Sequence, residues 1–321
     1  MAERKVLLAA STGGHLAQLH RFAPLLGASA DSLWVTFETN QSRSLLEGRR
    51  VCFLPYVGPR QSRPLLRTIP RIRELLRNEH FDVAASTGAG IALTTLPLAR
   101  AHGVPALYIE SLSRVNGPSL SGRVLAASHT VQLRTQHPAW ATRRWRPFPS
   151  VLDTYHRDDR PEVSRPKLFV TLGTIKPYRF DALVDAVLAT GLADERTVWQ
   201  LGETTRSDLP GTAYQMVSRD QFNSFATEAD VVVAHAGVGT LLDLLELGVS
   251  PLVVPRRRSR NEHVDDHQVE ICELMARHGL VAYHEAPDLS GQAIVAASGR
   301  GVLAEPVSPQ EVHLSEEQIF G

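Results

Sequence analysis

Residues 5–15 read Lys-Val-Leu-Leu-Ala-Ala-Ser-Thr-Gly-Gly-His, a short apolar run that ends in a glycine turn. Beyond the turn, apolar residues recur at Leu16, Leu19, Phe22 and Leu25, with the three-to-four-residue period of an amphipathic helix. An uninterrupted apolar run of this length is typical of a strand that is buried on both faces. The stretch therefore predicts a strand, a tight turn and a helix, which is the repeating unit of parallel sheets.

This alternation continues along the chain. Further strands are predicted at 32–37, 51–54, 81–86, 105–109, 168–172, 197–201, 231–234 and 251–254. Residues 147–166 hold four prolines and several charges without an apolar period, which indicates a linker between two domains. We predict an α/β protein with two Rossmann-like, doubly wound parallel sheets, at 1–150 and 167–305, a linker at 151–166 and a polar tail at 306–321. The carboxyl ends of both sheets are expected to face a cleft.

The composition is that of an ordinary globular protein. Of the 321 residues, 43% are apolar and 21% are charged, which excludes a disordered chain and a collagen. No apolar run approaches the roughly 20 residues that a membrane-spanning helix needs. The start of the chain reads as a buried strand and not as a secretory signal. We therefore expect a cytoplasmic protein in which Cys52 and Cys272 are reduced, with a pair between the domains as the alternative.

The charges are divided unevenly between the two halves. Residues 1–150 hold 19 basic and 8 acidic side chains, while residues 151–321 hold 15 basic and 26 acidic ones. The first half is therefore expected to meet an anionic partner: a nucleic acid, a phosphorylated substrate or a membrane surface. Attraction between the two domains is the alternative explanation.

Three glycine-rich turns follow predicted strands, at Ser11–His15, Val170–Thr174 and His235–Thr240. Glycine lets the backbone approach a ligand closely, and the free N–H groups at the start of a helix attract anions. The backbone of the third turn and its final threonine suit a diphosphate, while Asp243 or Glu246 suits a ribose diol. Taken singly, each turn also has a purely structural interpretation.

The order of these features resembles a known signature, that of the donor site in nucleotide-sugar-dependent glycosyltransferases with the GT-B fold. It consists of His235-x-Gly237-x-Gly239-Thr240, an acid three residues later, Gly248-x-x-Pro251 and Asp265-x-His267-Gln268. Residues 168–280 resemble the catalytic subunit of the eukaryotic two-subunit transferase that adds the second N-acetylglucosamine to dolichol diphosphate. Residues 6–133 resemble its partner subunit, through Ser11–His15, Ile109–Ser111, Arg114-Val115, Leu120–Arg123 and Val131-Gln132.

Two bacterial groups share this resemblance. Polysaccharide glucuronosyltransferases of the same type are also split into two chains, so the present chain resembles a fused form with the acceptor half first. More distantly, it is similar to the peptidoglycan N-acetylglucosaminyltransferases of the MurG type, which belong to family 28.

The resemblance implies inverting transfer of a sugar, N-acetylglucosamine or glucuronic acid, from a UDP-sugar that serves as co-substrate, with no cofactor. The chain contains no Asp-x-Asp, so no carboxylate-bound metal ion is implied. Helix N-termini after Gly13, Gly173 and Gly237 are expected to carry the charge of the departing UDP, and the uracil is expected near Met216 and Val217. The expected donor-binding residues are Gly13, Gly14, Gly173, Thr174, Met216, Val217, His235, Gly237, Gly239, Thr240, Asp243, Glu246, Asp265, Asp266 and Gln268.

Two residues are candidates for the base that activates the acceptor hydroxyl. The first is His15, because an imidazole exchanges a proton near neutral pH. Glu110, at the end of a predicted strand in the same domain, is the second. His235 is expected to pack against the donor and not to act as a base.

Six arginines between residues 60 and 77 interleave with leucines and isoleucines. This pattern predicts a basic amphipathic helix after Pro64, interrupted at Pro70. Such a helix suits anionic lipid head groups or a lipid diphosphate, and a solvated basic face is the alternative. The resemblance implies a polyprenyl-diphosphate-linked acceptor and a peripheral position on the inner face of the plasma membrane. The expected acceptor and membrane residues are Arg63, Arg67, Arg71, Arg73, Arg114 and Arg123.

Two other functions fit the same architecture. One is a soluble natural-product glycosyltransferase that acts on a small aglycone, and the other is a UDP-sugar 2-epimerase. UDP release that requires an acceptor would distinguish a transferase from the epimerase. A nicotinamide-dependent dehydrogenase is disfavoured, because Gly88-Ala89-Gly90 lacks the third glycine of its fingerprint. A nucleic-acid partner is not expected, since it leaves the donor signature unexplained.

Overall fold

The computed structural model describes residues 3–57, 62–174, 176–263 and 266–305, apart from the side chains at 62, 63 and 267. The predictions for Asp265, for the side chain of Arg63 and for the tail at 306–321 lie outside these residues. The chain divides into two compact units, with the boundary between Val151 and Leu152.

The first unit is a seven-stranded parallel sheet with its connecting helices. Its strands are β1 (Val6–Ala10), β2 (Leu33–Phe37), β3 (Arg50–Leu54), β4 (Val83–Gly88), β5 (Ala106–Ile109), β6 (Gln132–Thr135) and β7 (Trp145–Pro147). Its helices are α1 (Gly14–Phe22), α2 (Asn40–Leu45), α3 (Ser62–Leu66), α4 (Ile69–Asn78), α5 (Gly90–Ala101) and α6 (Leu120–Ser128). The strand order is β3-β2-β1-β4-β5-β6-β7. The direction of winding reverses between β1 and β4, and open α/β sheets bind ligands at the carboxyl ends of such strands.

The core of this unit follows from the apolar patterns in the sequence. All five residues of β1 are apolar and buried, as expected for a central strand. Helix α1 buries Leu16, Leu19 and Phe22 against the sheet. The ring of Phe22 meets that of Phe148 edge-on, with 5.1 Å between the centroids. Helix α1 is therefore packed against the rest of the first unit along its length.

The second unit contains a six-stranded parallel sheet and a separate two-stranded ribbon. Its strands are β8 (Tyr155–Asp159), β9 (Leu168–Thr171), β10 (Val198–Gln200), β11 (Thr212–Tyr214), β12 (Val231–His235), β13 (Leu252–Val254), β14 (Ala282–Tyr283) and β15 (Arg300–Ala304). Its helices are α7 (Asp181–Ala189), α8 (Arg219–Glu228), α9 (Val238–Glu246), α10 (His267–Arg277) and α11 (Gly291–Ser298). The parallel sheet has the order β11-β10-β9-β12-β13-β14, while β8 and β15 pair with each other.

The predicted fold class is confirmed, because both large sheets are parallel and alternate with helices. Each of the nine strands predicted from apolar runs overlaps an observed strand. Four short strands of two to four residues each were not predicted: β6, β7, β11 and β14. Strands β6, β7 and β11 mix polar with apolar residues, so they lack the apolar run that marks the equally short β13.

Part of the predicted linker is a strand. Residues 155–159 form β8, which pairs antiparallel with β15 from Tyr155 opposite Ala304 to Asp159 opposite Arg300. Only Tyr155 of β8 is buried, and its other residues are polar or charged. The strand therefore has no apolar run that could reveal it in the sequence.

The basic segment forms two helices, and the predicted interruption lies at residues 67 and 68, just before Pro70. Helix α3 ends at Leu66 and α4 begins at Ile69. The hydroxyl of Thr68, between the helices, donates to the carbonyl of Leu65 at 2.7 Å. Pro70 lies in the first turn of α4, where a residue without an N–H group costs no helical hydrogen bond. The chain therefore breaks before the proline.

Two broader expectations can be compared with the structure. Within the described ranges, none of the helices is both long enough and apolar enough to cross a bilayer. Cys52 and Cys272 are buried free thiols, so the alternative of a disulfide pair is not realised.

Candidate active site

The second unit gathers predicted donor-binding residues at one edge of its sheet. Because the six strands are parallel, their carboxyl ends lie at the same edge. The predicted residues at or just after these ends are Gly173 and Thr174 of β9, Met216 and Val217 of β11, and His235, Gly237, Gly239 and Thr240 of β12. Thr174 and Met216 are exposed, so this edge is open to a ligand.

His235 is the buried centre of this edge. A β-carbon at Gly173 or at Gly237 would overlap Nε2 of the imidazole, so the ring fits only because both residues are glycine. Its Nδ1 has no hydrogen-bond partner among the described residues. Burial and the nearby charge of Arg256 lower the pKa of His235 to about 3. The ring is therefore neutral at pH 7 and accepts a proton poorly.

Helix α9 begins without a side-chain cap. Its N-cap is Gly237, which has no side chain to bond the N–H groups of the first turn. Helix α1 begins in the same way at Gly13. Helix α8, in contrast, begins with a capping box formed by Ser218 and Gln221. The first turns of α1 and α9 therefore offer N–H groups and a positive dipole end to an anion.

The prediction that a helix begins directly after Gly173 is wrong. The chain continues from Leu172 as a loop, and α7 begins only at Asp181. Gly173 has a φ of +75°, a conformation that favours glycine. The carbonyl oxygen of Gly173 lies so close to Gly202 that a β-carbon on Gly202 would overlap this oxygen. An anion at this loop therefore meets individual N–H groups and side chains and not a helix dipole.

Arg256, which lies two residues after β13, was not predicted as a site residue from the sequence. Its guanidinium is fully buried and donates to the backbone carbonyls of Leu172, Tyr178, Arg179 and Glu262. An arginine placed directly after a buried strand and a proline is the signal that could have identified it. Arg256 therefore ties the loop after β9 to the end of β13.

Asp243 and Glu246 lie one turn apart on α9. Burial raises the pKa of Asp243 to about 6, and Arg219, whose Nη2 lies 3.6 Å from Oδ1, opposes that shift. Glu246 accepts a hydrogen bond from the hydroxyl of Tyr155 at 2.8 Å, so it is engaged with β8. Of the two carboxylates, Asp243 is better suited to a ligand.

We expect Asp243→Asn to stabilise the fold above pH 6. A carboxyl group with a raised pKa contributes stability fully below its unfolded value of 3.8 and loses that contribution as the pH rises through about 6. The amide does not ionise, so the variant should gain roughly 1–3 kcal/mol over the wild type at pH 8 and very little at pH 4. Urea unfolding at both pH values measures the gain. The control is Asp31→Asn, at an exposed position, and a gain that is equal at both pH values contradicts the raised pKa.

Asp266 and Gln268 shape the loop between β13 and α10. Oδ1 of Asp266 accepts the backbone N–H of Arg258 at 3.0 Å. The buried Gln268 accepts the backbone N–H of Arg256 at 2.9 Å through Oε1. Both side chains therefore hold the backbone that carries Arg256.

His15 lies in the first turn of α1, where the winding of the first sheet reverses. Its Nδ1 is 2.7 Å from the carbonyl oxygen of Thr87 in β4, and the Thr87 hydroxyl donates to the carbonyl of His15 at 2.6 Å. Because a carbonyl only accepts, Nδ1 carries the proton and Nε2 of the neutral ring carries the lone pair. Burial and the charge of Arg114 hold the pKa of His15 below its usual 6.5. His15 is therefore neutral at pH 7 with a basic nitrogen.

Glu110 is buried and accepts four hydrogen bonds. Oε1 accepts from the hydroxyl of Tyr108 at 3.0 Å and from the N–H of Ser111 at 3.1 Å. Oε2 accepts from the N–H and the hydroxyl of Ser119 at 2.9 and 3.0 Å. Burial raises the pKa of Glu110, which these hydrogen bonds oppose. Glu110 therefore fixes the loop between β5 and α6, and His15 is the better-suited base.

A buried pair of glutamines, which sequence analysis missed, joins α1 to the same loop. Gln18 Oε1 accepts from the N–H of Leu112 at 2.8 Å and from Gln136 Nε2 at 2.9 Å. Gln136 Nε2 also donates to the carbonyl of Glu110 at 2.9 Å. The signal was a glutamine at position 18 between apolar residues of the α1 period. The pair holds the loop against the helix that carries His15.

The predicted acceptor arginines lie in separate places in the first unit. Arg67, Arg71 and Arg73 are exposed on the segment of α3 and α4, whose residues Ile72 and Leu76 are buried. This segment is therefore amphipathic, as predicted, with a cationic outer face.

The other two predicted arginines lie beyond that segment. Arg114 is in the loop after β5, close enough to His15 to lower its pKa. Arg123 is exposed on α6. The structure thus associates Arg114, and not Arg123, with the candidate base.

Residues 180–297 match the glycosyltransferase family 28 C-terminal domain. The chain is 26% identical over 292 residues to the UDP-N-acetylglucosamine--N-acetylmuramyl-(pentapeptide) pyrophosphoryl-undecaprenol N-acetylglucosamine transferase of Synechococcus sp. (strain WH7803), covering 82% of this chain and 78% of that enzyme. It is 29% identical over 148 residues to the human UDP-N-acetylglucosamine transferase subunit ALG13, covering 42% of this chain and 12% of that subunit.

The fold is similar to that of MurG from Acinetobacter baumannii, with a TM-score of 0.55 and 15% identity over 96% of this chain and 98% of that one. The family 28 match contains every donor-binding residue predicted in the second unit except Gly173 and Thr174.

Proposed function

We propose that this chain, a UDP-sugar-dependent glycosyltransferase of the GT-B, family 28 type, transfers a sugar to a polyprenyl-diphosphate-linked sugar. The proposed transfer inverts the configuration of the sugar and needs no metal ion. The proposed sugars are N-acetylglucosamine and glucuronic acid. The acceptor class is supported by the Synechococcus relative, whose name specifies a pyrophosphoryl-undecaprenol acceptor.

The main support for a nucleotide-sugar donor is the strand–turn–helix segment formed by β12 and α9. The buried strand ends at His235, the N-cap Gly237 leaves the first turn of α9 without a side-chain cap, and Asp243 lies further along the helix. The unit lies within the family 28 match. We expect the diphosphate between the start of α9, where the N–H groups and the dipole favour negative charge, and the loop after β9, since the ring of His235 lies against both Gly237 and Gly173. We expect the ribose at Asp243.

The proposed reaction forms a bond between the acceptor oxygen and C1 of the sugar and breaks the bond between C1 and the diphosphate oxygen. Nε2 of His15 takes the proton of the acceptor hydroxyl. A single displacement of UDP inverts the configuration at C1. The N–H groups at the start of α9, with Thr174 and Thr240, stabilise the charge that develops on the departing UDP.

Calorimetric titration tests the donor class. The protein is titrated in EDTA with UDP, UDP-N-acetylglucosamine, UDP-glucuronic acid and NADH. We expect UDP and one UDP-sugar to bind and NADH not to bind. If no uridine nucleotide binds, the proposed function is wrong.

A second assay separates a transferase from an epimerase. UDP release is measured with and without a polyprenyl-diphosphate-linked sugar. Release that requires this acceptor supports the proposal. Inversion at C2 of the UDP-sugar without any acceptor supports the epimerase. UDP release with a small aglycone alone supports a natural-product glycosyltransferase.

We also propose a peripheral position on the inner face of the plasma membrane, supported by the exposed arginines of α3 and α4. Replacing Arg67, Arg71 and Arg73 by glutamine should weaken binding to vesicles with anionic lipids about a hundredfold, since each arginine contributes about 1 kcal/mol near such a surface. Vesicle sedimentation measures the loss.

The matched control replaces three other exposed arginines of the first unit, Arg43, Arg49 and Arg100, by glutamine. The control has the same net charge and should bind vesicles nearly as the wild type does. Equal binding by the two triple variants indicates that the face of α3 and α4 is merely solvated.

A further inference from the structure

Arg256 is a fully buried cation whose hydrogen bonds go to backbone oxygens. Its Nη2 donates to the carbonyl of Leu172 at 2.5 Å, and Nη1 lies 3.1 Å from the carbonyls of Tyr178, Arg179 and Glu262. The guanidinium also lies over the ring of Phe180, with 4.8 Å from Cζ to the ring centroid. Three of the four carbonyls and the ring belong to the loop that joins β9 to α7. One side chain thus holds both ends of this loop.

The carbonyl of Leu172 determines the direction of a neighbouring N–H group. A trans peptide is planar, and its C=O and N–H point in opposite directions. Since Arg256 draws the Leu172 carbonyl toward itself, the N–H of Gly173 points away from the guanidinium. The φ of +75° at Gly173 and its contact with His235 limit how this peptide can otherwise turn.

The charge of Arg256 is balanced only at a distance. Among the described residues, no carboxylate lies within ion-pair distance of it. Glu262 favours the charged form through space, but its carboxylate bonds the backbone of Arg257 and the side chain of Arg260. Burial lowers the pKa of Arg256 to about 10, so it stays charged at neutral pH. An anion at the loop after β9 would complement this charge.

We infer that Arg256 is a positioning residue of the donor site, which fixes the loop after β9 so that the backbone of Gly173 and Thr174 receives the diphosphate of the nucleotide. This inference rests on the proposed function, since it assumes a uridine diphosphate donor. Arg256 is too deeply buried to touch the donor and acts through the loop.

The test compares the affinities of UDP and uridine for the full chain. The diphosphate is expected at the loop and the uracil near Met216 and Val217, so Arg256→Gln should weaken UDP binding at least about tenfold and leave uridine binding unchanged. Arg256→Lys keeps the charge but cannot reach four carbonyls, and should recover only part of the UDP affinity. The matched control is Arg257→Gln, whose half-buried side chain pairs with Glu285 at 2.7 Å.

The outcomes are distinguishable. If the wild type does not bind UDP, the proposed function fails. If the wild type binds UDP and Arg256→Gln binds it equally well, the inference about Arg256 is wrong. Equal losses of affinity for UDP and uridine also overturn it, because they indicate general damage to the protein. Full recovery of UDP affinity in Arg256→Lys overturns it too, because it indicates that the charge alone matters and not the hold on the loop. If Arg256→Gln does not fold, Phe180→Leu, which removes the ring beneath the guanidinium, should still show a selective loss of UDP affinity.

Discussion

His15→Ala is expected to lower turnover about a thousandfold and to leave the affinity for the UDP-sugar at the wild-type value. Nε2 of His15 is the lone-pair nitrogen of a neutral ring, because Nδ1 donates its proton to the carbonyl of Thr87. The predicted nucleotide site is built from other residues, so its affinity should not depend on this imidazole. Steady-state kinetics together with calorimetric titration separates the two effects.

The matched control is His20→Ala on the same helix, where the ring packs against that of Trp34 with 5.8 Å between centroids. This variant should keep nearly wild-type turnover. Wild-type turnover in His15→Ala instead would show that another group takes the proton.

The pH profile of kcat/KM gives a second measure of the same base. A general base acts only when neutral, so the rate should fall as the pH drops through the pKa of His15, which burial and Arg114 hold below 6.5. Above that value the rate should be flat. Arg114→Gln removes a repelling charge and should therefore move the acid limb to higher pH. An acid limb that does not move belongs to a different group.

Gly173→Ala should lower the affinity for UDP roughly a hundredfold. Two effects combine: alanine is strained in the left-handed backbone conformation, and its β-carbon overpacks the ring of His235. Gly173 has a φ of +75°, and a β-carbon there would overlap the ring of His235. Since His235 is buried, the loop must move instead, and the backbone that we expect to receive the diphosphate moves with it. Calorimetric titration with UDP measures the loss.

Two further variants separate the overlap from the backbone strain. Gly191→Ala has the same strain, with a φ of +68°, but a β-carbon there meets nothing within 4 Å, so UDP affinity should be kept. Adding His235→Gly to Gly173→Ala removes the ring and should restore the affinity that the overlap costs, up to the affinity of His235→Gly alone. If the double variant binds UDP no better than Gly173→Ala, the contact with His235 does not explain the loss.

Much of the architecture could be predicted from the sequence because its causes are local. The apolar run of β1, the glycine turn after it and the period of α1 lie within 20 consecutive residues. The same holds for β12, Gly237 and α9. The carboxyl ends of parallel strands share one edge, so predicting β9 and β12 also grouped Gly173 with His235, whereas Met216 was placed by the family resemblance. The charged ribbon strand β8 left no apolar pattern and was missed.

The choice between functional side chains could not be made in this way. His15 and Glu110 both follow strands of the first sheet. Only their hydrogen-bond partners show that His15 has a basic nitrogen, while the carboxylate of Glu110 already accepts four hydrogen bonds. In the same way, only contacts show that Glu246 is engaged by Tyr155, which leaves Asp243 the better candidate for the ribose.

The sequence by itself determined the nine strands that carry apolar runs and the glycine turns that follow three of them, and through these the edge of the second sheet where we propose that the donor binds. Only the tertiary structure decided that the loop after β9 is not a helix and that Arg256 holds it, through a hydrogen bond to a residue 84 positions away. The physical reason is that apolar periodicity is a local property of the sequence, which spans one or two helical turns. A buried guanidinium is satisfied by whichever carbonyls the completed fold brings within about 3 Å of it.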